Sequence, residues 1–369
     1  MKILFVDPHE SSVFSFRKEL IDKLVDDGHK IILCTQSTNK IINEFSNRVY
    51  KIIDVKLDLK DKGILSNLNL KRTYKKIIKS EKPDLIISYK IKPNIYCGLY
   101  SKKIPMIANI TGLGNAFKSN NLLSMISIFL YKKSFKNVDY GFFQNQDGLH
   151  FFRSNKIPIN KYRIIPGSGV NVDKFIPTPI DTNADTVNFL FASRALKDKG
   201  FDLLIDAIPA VINKTKKVHF NFLSAEEDVF SNSSARNVFH NFKDFVTVLD
   251  RTDDMNLVYS QNDFTISPSF YREGISNVLL ESLACGRPII TTKDNPGCME
   301  VLQDNLNGLG VISNDLNSLI DAILKASNLS KNKIKKMGLS GREFVCKAYD
   351  RTIVINHYLE VIKELGDRK

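Results

Sequence analysis

The sequence has little of what several common classes of protein require. Its five cysteines are scattered and show no Cys-x-x-Cys spacing, which argues against a disulfide framework and against a zinc site. It has no 18-residue apolar run free of charge, so no segment is predicted to span a membrane. An Asp-x-Asp pair, of the kind that binds a divalent metal at a strand end, is also absent.

The opening of the sequence predicts a first buried strand. A short apolar run there meets Asp7 and Glu10 within the first ten residues, which is unlike a secretory signal peptide. We therefore expect the protein to stay in the cytoplasm.

Positive charge is concentrated in the first half of the chain. The formal net charge is +13; residues 1–180 hold 30 Lys and Arg against 15 Asp and Glu, and the remainder holds 23 against 25. This asymmetry predicts an anionic partner, such as a phospholipid surface, a phosphorylated substrate or a nucleic acid. A solvated basic surface would give the same pattern. Nucleic acid is the weaker alternative, because aromatic residues are not interleaved with the basic clusters.

Short apolar segments alternate with amphipathic segments of helix length along the chain. One series runs from KILFVD to YGFFQNQ, and a second runs from VNFLFAS to RPIITT. This predicts an α/β fold with two Rossmann-like domains, each a parallel sheet covered by helices, and a ligand cleft between them. The Pro, Asp, Thr and Asn content of residues 176–186 indicates a linker. We assign residues 1–175 to the first domain and 187–345 to the second.

A helix is predicted in the middle of the segment SPSFYREGISNVLLESLACGRPIITT of the second domain, between a loop and the next strand. The preceding strand ends near Ser267, and Ser276 or Asn277 can cap a helix that closes at Cys285 and Gly286. The start of this helix lies at the carboxyl end of a strand, where α/β folds bind their ligands.

This helix start has the chemistry to bind a phosphorylated sugar. The backbone N–H groups of Gly274, Ile275 and Ser276 are predicted to be unpaired and to form an anion site. Glu273 and Glu281 stand on either side, and carboxylates accept hydrogen bonds from vicinal hydroxyls. Alternatively, Glu273 only favours the positive end of the helix and Glu281 forms a surface ion pair.

Two cations follow the first strand of the second domain. In FLFASRALKDKGFDLLIDAI, Arg194 and Lys199 leave the strand end just before Gly200 and an amphipathic helix. Arg offers a planar fork to phosphate oxygens and Lys offers a point charge, so the pair can neutralise a diphosphate leaving group without a metal. The alternative is that both are solvent-exposed cations at a helix start, where the helix dipole disfavours them.

These residues resemble a known signature. SRALKDKG together with REGISNVLLESLACGRPIITT is similar to the donor-domain motif of retaining glycosyltransferase family 4, whose members have the GT-B fold. The resemblance implies that Arg194 and Lys199 hold a nucleotide diphosphate, that Glu273 contacts the donor hexose and that Glu281 binds the ribose. We assign Arg194, Lys199 and Glu273 as catalytic. The donor site is completed by Gly274, Ile275, Ser276, Asn277 and Glu281.

The first half resembles one subgroup of that family. SYKIKPNIYCGLYSKKIPMIANITGLGNAF, FFQNQDG and IPGSGVNVDKF are similar to enzymes that extend glycans on undecaprenyl diphosphate, including bacterial α-1,3-N-acetylgalactosaminyltransferases. This implies a UDP-sugar donor carrying a HexNAc and a lipid-diphosphate-linked saccharide acceptor, as in O-antigen or capsule polysaccharide biosynthesis. It also implies that residues 346–369 form a helix that packs back on the first domain. The residues assigned to the acceptor are Lys90, Lys92, Asn94, Thr111, Gly112 and Gly114.

The loop that begins at Thr111 departs from many family members. Those carry a histidine near the reacting sugar, and this chain does not, so no histidine is assigned as a base. ITGLGNAF also partly matches a dinucleotide-binding fingerprint, but Phe117 stands at the third glycine. A glycine-lined turn that admits an acceptor sugar or phosphate is the better interpretation. A further departure is the segment SAEEDVF, which stands where the family usually has a glycine-rich turn at the nucleobase pocket. Uridine is therefore expected from the resemblance to the subgroup alone.

Two basic segments in the first half suggest contact with an anionic membrane. NLKRTYKKIIKS carries five cations, and NNLLSMISIFLYKKSFKN joins an apolar face to Lys132, Lys133 and Lys136. An amphipathic helix flanked by lysines can lie in a lipid interface. Ordinary helices packed on the core would explain the same pattern. The five cations are Lys71, Arg72, Lys75, Lys76 and Lys79.

The sequence therefore predicts a metal-independent, retaining hexosyltransferase that needs no cofactor besides its UDP-sugar and works at the inner face of the plasma membrane. The leaving phosphate can itself accept the proton of the acceptor. Two other classes stay open. One is a sugar-nucleotide epimerase or a phosphorylase of the same fold, and the other is a non-catalytic nucleotide-sugar-binding protein.

Overall fold

The chain forms two compact units. One contains Met1–Ser168 and Val354–Lys369, and the other contains Gly169–Ile353. The computed structural model describes residues 1–55, 64–113, 122–224, 226–250, 252–272 and 274–367.

The first unit is built on a parallel sheet. In the described residues it has seven strands in the order β3-β2-β1-β4-β5-β6-β7, and each neighbouring pair runs parallel. The order reverses at β1 and β4, which makes this a doubly wound sheet with its switch point between those strands. The strands are β1 (Lys2–Val6), β2 (Lys30–Thr35), β3 (Lys51–Asp54), β4 (Leu85–Tyr89), β5 (Met106–Ile110), β6 (Tyr140–Phe143) and β7 (Lys161–Ile164).

Helices cover both faces of this sheet. Alternate residues of β1 point to opposite sides, as the pleat requires: Leu4 and Val6 lie in one buried cluster, and Ile3 and Phe5 lie in another. The helices connecting the strands are α1 (Glu10–Ser12), α2 (Lys18–Asp26), α3 (Asn39–Phe45), α4 (Ile64–Glu81), α5 (Ile91–Ser101), α6 (Leu122–Ser134) and α7 (Gln146–Ser154). Residues of α4, α5 and α6 share the first cluster, and residues of α2 share the second.

The second unit repeats the plan. In the described residues its parallel sheet has six strands in the order β10-β9-β8-β11-β12-β13, with the switch point between β8 and β11. The strands are β8 (Val187–Phe191), β9 (Val218–Phe222), β10 (Val246–Val248), β11 (Phe264–Ser267), β12 (Ile289–Thr292) and β13 (Gly308–Val311). The helices are α8 (Phe201–Lys214), α9 (Glu226–Ser231), α10 (Ser233–Asn241), α11 (Met255–Ser260), α12 (Asn277–Ala284), α13 (Pro296–Met299), α14 (Leu316–Ser327) and α15 (Lys331–Ala348).

The second unit begins earlier in the sequence than the expected boundary at residue 175. Val170, Val172 and Phe175 are buried in its core together with Leu190 of β8. These apolar side chains place the segment after Ser168 in the second unit, because removing them would expose part of that core.

Hydrogen bonds hold the linker segment, and the residues just before it, on the second unit. The guanidinium of Arg287, which is only 2% exposed, donates to the carbonyl of Thr178 at 2.9 Å and to its hydroxyl at 2.8 Å. Arg342 of α15 donates to the carbonyls of Val172 at 2.9 Å and Phe175 at 2.6 Å. Each guanidinium group donates to more than one backbone carbonyl, so it holds the segment that carries those carbonyls in place.

The last helix, α16 (Arg351–Gly366), starts in the second unit and ends in the first. Tyr358 and Val361 are buried against the same face of the first sheet as Phe5. The hydroxyl of Tyr358 also accepts a hydrogen bond from that of Tyr89, at 2.9 Å. The predicted return of the C-terminal helix to the first domain is confirmed, although the division falls after Ile353 and not at residue 346.

Candidate active site

The main candidate site lies at the carboxyl ends of β8 and β11, which are hydrogen-bonded neighbours in the second sheet. Strand β8 leads into the segment with Arg194 and then a 3₁₀ turn at Lys197–Lys199. Strand β11 leads into the loop that precedes α12. Parallel neighbours end at the same edge, so the two predicted groups of site residues leave the sheet side by side.

The turn after β8 packs directly on the loop after β11. Gly200 has φ +80°, and a Cβ atom there would lie 2.4 Å from the carbonyl oxygen of Pro268. Only glycine tolerates both the left-handed backbone and this approach. The backbone N–H of Phe270 completes the contact by donating to the carbonyl of Asp198 at 3.0 Å.

The two predicted cations differ in their surroundings. Arg194 is exposed, and its guanidinium makes no hydrogen bond or ion pair within the described part of the chain. Lys199 is half-buried, with its Nζ 5.0 Å from the ring centroid of Tyr271. Tyr271 belongs to the loop after β11, so Lys199 lies beside the segment predicted to bind the donor.

The helix predicted before Gly286 is α12, and it has the expected ends. It starts at Asn277 after Ser276, ends at Ala284 and is followed by Cys285 and then Gly286 at φ +69°. Ser276 occupies the N-cap position without a side-chain capping bond.

One expectation about the α12 start is wrong. The N–H of Ser276 is not free, because it donates to the carbonyl of Gly297 at 3.2 Å. The N–H groups of Gly274 and Ile275 make no hydrogen bond to the described residues. The anion site at this helix start therefore has fewer free amides than the sequence predicted. Asn277 adds a buried side-chain oxygen that has no partner in the described structure.

Glu281 lies in the second turn of α12 and is partly buried. Its Oε2 accepts a hydrogen bond from the hydroxyl of Tyr259 at 3.0 Å. Burial raises the pKa of Glu281 to about 7, although the Tyr259 hydrogen bond and the positive charges of Arg351 and Lys174 oppose the change. Glu281 makes no ion pair with the described residues, so the alternative of a surface ion pair does not apply.

Two predicted site residues, Glu273 and Gly114, lie outside the described residues. Among those that are described, no group of three or more His, Cys, Asp or Glu side chains is placed to hold a metal ion.

The predicted acceptor residues of the first unit follow two neighbouring strands. Lys90 comes directly after β4, and Thr111 and Gly112 come directly after β5. Lys90 precedes α5 with φ +76° and ψ 160°, a conformation that costs a non-glycine residue about 1–3 kcal/mol. Burial lowers the pKa of its amine, and Arg17 adds to this while Asp7 opposes it. The next cation, on the first turn of α5, is the half-exposed Lys92.

Asn94 does not fit its predicted contact with an acceptor. It is 1% exposed, its Oδ1 accepts from the Ser88 hydroxyl at 2.6 Å, and its Nδ2 donates to the carbonyl of Asn109 at 2.8 Å. Its amide therefore joins β4, α5 and β5 inside the unit. An acceptor could reach it only if these buried hydrogen bonds were broken.

An apolar surface lies on α6. Five large side chains are exposed there, with exposed fractions from 46% at Ile126 to 71% at Leu122. Lys133 lies at the edge of this surface, its Nζ 5.3 Å from the ring centroid of Phe129. We call the exposed residues the α6 apolar face; they are Leu122, Leu123, Met125, Ile126 and Phe129.

The cations of α4 are also at the surface. Arg72, Lys75, Lys76 and Lys79 are exposed and Lys71 is partly so. Within the described ranges, no helix is long and apolar enough to cross a bilayer.

Sequence reasoning missed the side chains that support the site. Tyr259 and Tyr271 were not singled out, and neither was Asn295, whose amide donates to the carbonyls of Ser269 and Tyr271. These contacts join residues 22 to 26 positions apart, and no local pattern specifies them. The one available signal was the position of Asn295 before Pro296, which is common at a helix start.

Comparison with known proteins agrees with this architecture. Residues 186–328 match the family model described as "Glycosyl transferases group 1", and residues 2–145 match the model "Glycosyl transferase 4-like". The chain is similar to a Campylobacter jejuni protein, N,N'-diacetylbacillosaminyl-diphospho-undecaprenol alpha-1,3-N-acetylgalactosaminyltransferase, with 25% identity over 98% of each chain. It is 28% identical to an uncharacterized glycosyltransferase of Methanocaldococcus jannaschii over 88% of this chain and 87% of the relative.

Solved structures share the whole fold. A glycosyltransferase from Rickettsia africae has a TM-score of 0.80 at 19% identity, over 100% of this chain and 99% of that one. Anabaena HepE, crystallised with UDP, has a TM-score of 0.78 at 16% identity, over 99% and 100%.

Two parallel, doubly wound sheets with a C-terminal helix returning to the first unit define the GT-B class of glycosyltransferases. Both halves match the corresponding domain models. The chain belongs to the GT4-like glycosyltransferases, and it is a hexosyltransferase.

Proposed function

We propose that this hexosyltransferase moves a HexNAc from a UDP-sugar to a saccharide carried on undecaprenyl diphosphate, with retention of configuration and without a metal ion. The observation that carries the donor half of the proposal is the packing of the β8 turn on the β11 loop, which places Lys199 beside Tyr271. The C. jejuni relative, whose name specifies this type of acceptor and an N-acetylgalactosaminyl group, supports the proposed acceptor and the transferred HexNAc.

In the proposed donor complex the diphosphate lies at the ends of β8 and β11. Arg194 and Lys199 neutralise it, and the amides of Gly274 and Ile275, which make no hydrogen bond to the described residues, add hydrogen-bond donors. Glu281 binds the ribose hydroxyls through its carboxylate. Glu273, two residues after Tyr271 in the sequence, is assigned to the transferred sugar.

The proposed reaction needs no base from the protein. The bond between the sugar C1 and the β-phosphate oxygen breaks, and UDP leaves with the electron pair. The acceptor hydroxyl oxygen bonds to C1 on the same face, and its proton passes to the departing phosphate. The positive charges of Arg194 and Lys199 stabilise the charge that develops on UDP, which is the largest catalytic contribution proposed here.

The acceptor is proposed to bind at the ends of β4 and β5 in the first unit. Lys90 and Lys92 supply positive charge for its diphosphate, and Thr111 and Gly112 line the neighbouring strand end. Asn94 is left out of direct contact because it is buried and both its amide oxygen and its amide nitrogen are already hydrogen-bonded inside the unit. Its proposed contribution is to hold β4, α5 and β5 together.

The α6 apolar face is proposed to insert into the headgroup region of an anionic bilayer. It exposes large apolar side chains in adjacent turns, with Lys132, Lys133 and Lys136 at its C-terminal end. Cations next to an anionic surface contribute about 1 kcal/mol each. This arrangement supports peripheral attachment to the inner face of the membrane, where a lipid-linked acceptor is found.

A transfer assay tests the function. Purified protein is incubated with a panel of radiolabelled UDP-sugars and an undecaprenyl-diphosphate-linked saccharide, with and without EDTA. We expect label in the lipid fraction from a UDP-HexNAc, unchanged by EDTA. Loss of transfer in EDTA would contradict the metal-free mechanism.

The same assay separates the alternatives. An epimerase would convert the UDP-sugar without an acceptor, and a phosphorylase would release a sugar phosphate only when inorganic phosphate is supplied. A non-catalytic protein would bind UDP-sugar and return it unchanged. Any of these results would exclude the transferase proposal.

A further inference from the structure

Lys199 lies against an aromatic ring that comes from another strand end. Its Nζ is 5.0 Å from the ring centroid of Tyr271, inside the distance of about 6 Å over which an ammonium is attracted to a ring face. Both residues are half-buried. The ring therefore limits the positions that this flexible side chain adopts at the edge of the sheet.

The backbone of Tyr271 is itself held in place. Its carbonyl accepts a hydrogen bond from Nδ2 of Asn295 at 3.1 Å, and its N–H donates to the hydroxyl of Ser269 at 3.3 Å. The same Asn295 amide donates to the carbonyl of Ser269 at 2.7 Å. One buried side chain, 4% exposed, thus fixes two backbone positions in the loop.

The turn that carries Lys199 is attached to this loop as well. The hydroxyl of Ser269 donates to the carbonyl of Asp198 at 3.3 Å, and the N–H of Phe270 donates to the same carbonyl at 3.0 Å. A second support comes from β12, where the Thr292 hydroxyl donates to the Ser269 carbonyl at 2.7 Å. The ring and the ammonium therefore belong to one hydrogen-bonded assembly that spans β8, β11 and β12.

We propose that Tyr271 is a positioning residue for Lys199, and that Asn295 positions Tyr271, so that the ammonium is held for the terminal phosphate of a nucleoside diphosphate. The proposal rests on the donor site described under the proposed function. A free lysine side chain loses considerable rotamer entropy when it binds a ligand. A ring that already restricts it removes part of that cost and so increases affinity for the phosphate it contacts.

Comparing UDP with UMP tests this idea directly, because UMP lacks the phosphate that Lys199 would contact. Dissociation constants are measured by calorimetry for the wild type and for Tyr271→Leu, Tyr271→Phe and Lys199→Ala. We expect Tyr271→Leu to weaken UDP binding about fivefold to tenfold while UMP binding changes less than about twofold. Tyr271→Phe keeps the ring and should restore UDP binding.

Asn295→Ala gives the second arm. This variant should show the same selective loss of affinity for UDP. The Tyr271 ring can move once the backbone carbonyl of Tyr271 has lost its hydrogen bond to Asn295. If this buried substitution prevents folding, the Tyr271 pair still decides the question. An equal loss for UMP and UDP in Tyr271→Leu, or no loss for either, would overturn the positioning role.

The controls separate this proposal from the donor site itself. If the wild type binds UDP no better than UMP and Lys199→Ala changes neither, the proposed diphosphate site is wrong and the positioning role falls with it. If Lys199→Ala weakens UDP binding and Tyr271→Leu does not, only the positioning role is wrong. In an active enzyme, Tyr271→Leu should also lower kcat/KM for the UDP-sugar, with recovery in Tyr271→Phe.

Discussion

The hydroxyl of Tyr259 donates a 3.0 Å hydrogen bond to the carboxyl group of Glu281, although 22 residues separate them. Tyr259 is fully buried, and burial raises its own pKa well above the usual value, so it remains a donor at physiological pH. Glu281, with a pKa raised to about 7, is divided between its neutral and charged forms near neutral pH.

The affinity of the site for UDP should therefore depend on pH through Glu281. In the proposed complex the Glu281 carboxylate accepts hydrogen bonds from two ribose hydroxyls. The neutral acid accepts hydrogen bonds less well, so UDP binding should weaken as the pH falls through 7. If only the charged form of Glu281 binds, the affinity for UDP at pH 5.5 should be about 30-fold lower than with the carboxylate fully charged. Titration calorimetry between pH 5.5 and 8.5 measures it.

Glu281→Gln is the matched control for this pH dependence, because UDP itself titrates with a pKa of about 6. The variant should show only the titration of the nucleotide. Identical pH profiles for the wild type and the variant would exclude the carboxylate as a ribose ligand.

Arg194 is expected to act in the transition state and to contribute little to folding. Its side chain is exposed, so Arg194→Ala should leave the melting temperature unchanged within about 1 °C. Loss of one cation that neutralises the departing diphosphate should lower kcat about 10²- to 10³-fold. Arg236→Ala, which removes another exposed arginine, on α10, should retain activity. Equal kinetics for the two variants would remove Arg194 from the mechanism.

Two glycines with similar positive φ angles should differ in how much stability is lost when each is replaced by alanine. At Gly28, φ +81°, an added Cβ would meet nothing within 4 Å, whereas a Cβ at Gly200, φ +80°, meets the carbonyl of Pro268 at 2.4 Å. Gly28→Ala should lower the free energy of unfolding of its unit by about 1 kcal/mol, the cost of the left-handed backbone. Gly200→Ala should cost its unit about 2 kcal/mol more because the loop must move.

Urea denaturation measures the free energy of unfolding of both glycine variants, each compared with the wild type. Gly200→Ala should also reduce UDP affinity, because the turn that it displaces carries Lys199. Similar costs for the two variants would show that the contact with Pro268 does not constrain the turn.

Membrane attachment through the α6 apolar face should require both its apolar and its basic residues. The triple variant Leu123→Ser, Met125→Ser and Phe129→Ser should bind vesicles of anionic phospholipid at least about tenfold more weakly than the wild type. Reversing Lys132, Lys133 and Lys136 to Glu should abolish the salt-sensitive part of binding. Flotation assays at two salt concentrations measure these effects.

The control for the membrane prediction is Leu339→Ser, which removes an exposed leucine from α15 in the second unit. It should leave vesicle binding unchanged. Binding that survives the α6 substitutions would place the contact elsewhere on the protein.

Much of the architecture could be predicted from local patterns. Strand and helix alternation specified both parallel sheets, and the glycine at residue 286 correctly located the end of α12. These features depend on periodicity and on turn chemistry, which a short window of sequence contains. The placement of Lys199 beside the β11 loop followed in turn from the rule that parallel neighbours end at one edge.

The errors arose where distant residues compete for the same polar group. The backbone N–H of Ser276 donates to the carbonyl of Gly297. The side chain of Asn94 is hydrogen-bonded to Ser88 and Asn109 inside the unit. A buried polar group takes whichever partner the fold brings within reach. That partner depends on how separate strands and helices pack, so neither outcome could be read from the neighbouring sequence.

The C-terminal helix has a consequence for the order in which this protein is made. Tyr358 and Val361 belong to a C-terminal segment, Val354–Lys369, that completes the interior of a unit whose remaining residues all precede residue 169. During translation the amino-terminal unit emerges first, yet it stays incomplete until about two hundred later residues have left the ribosome. The second unit is contiguous in sequence, and so its core needs no segment from later in the chain.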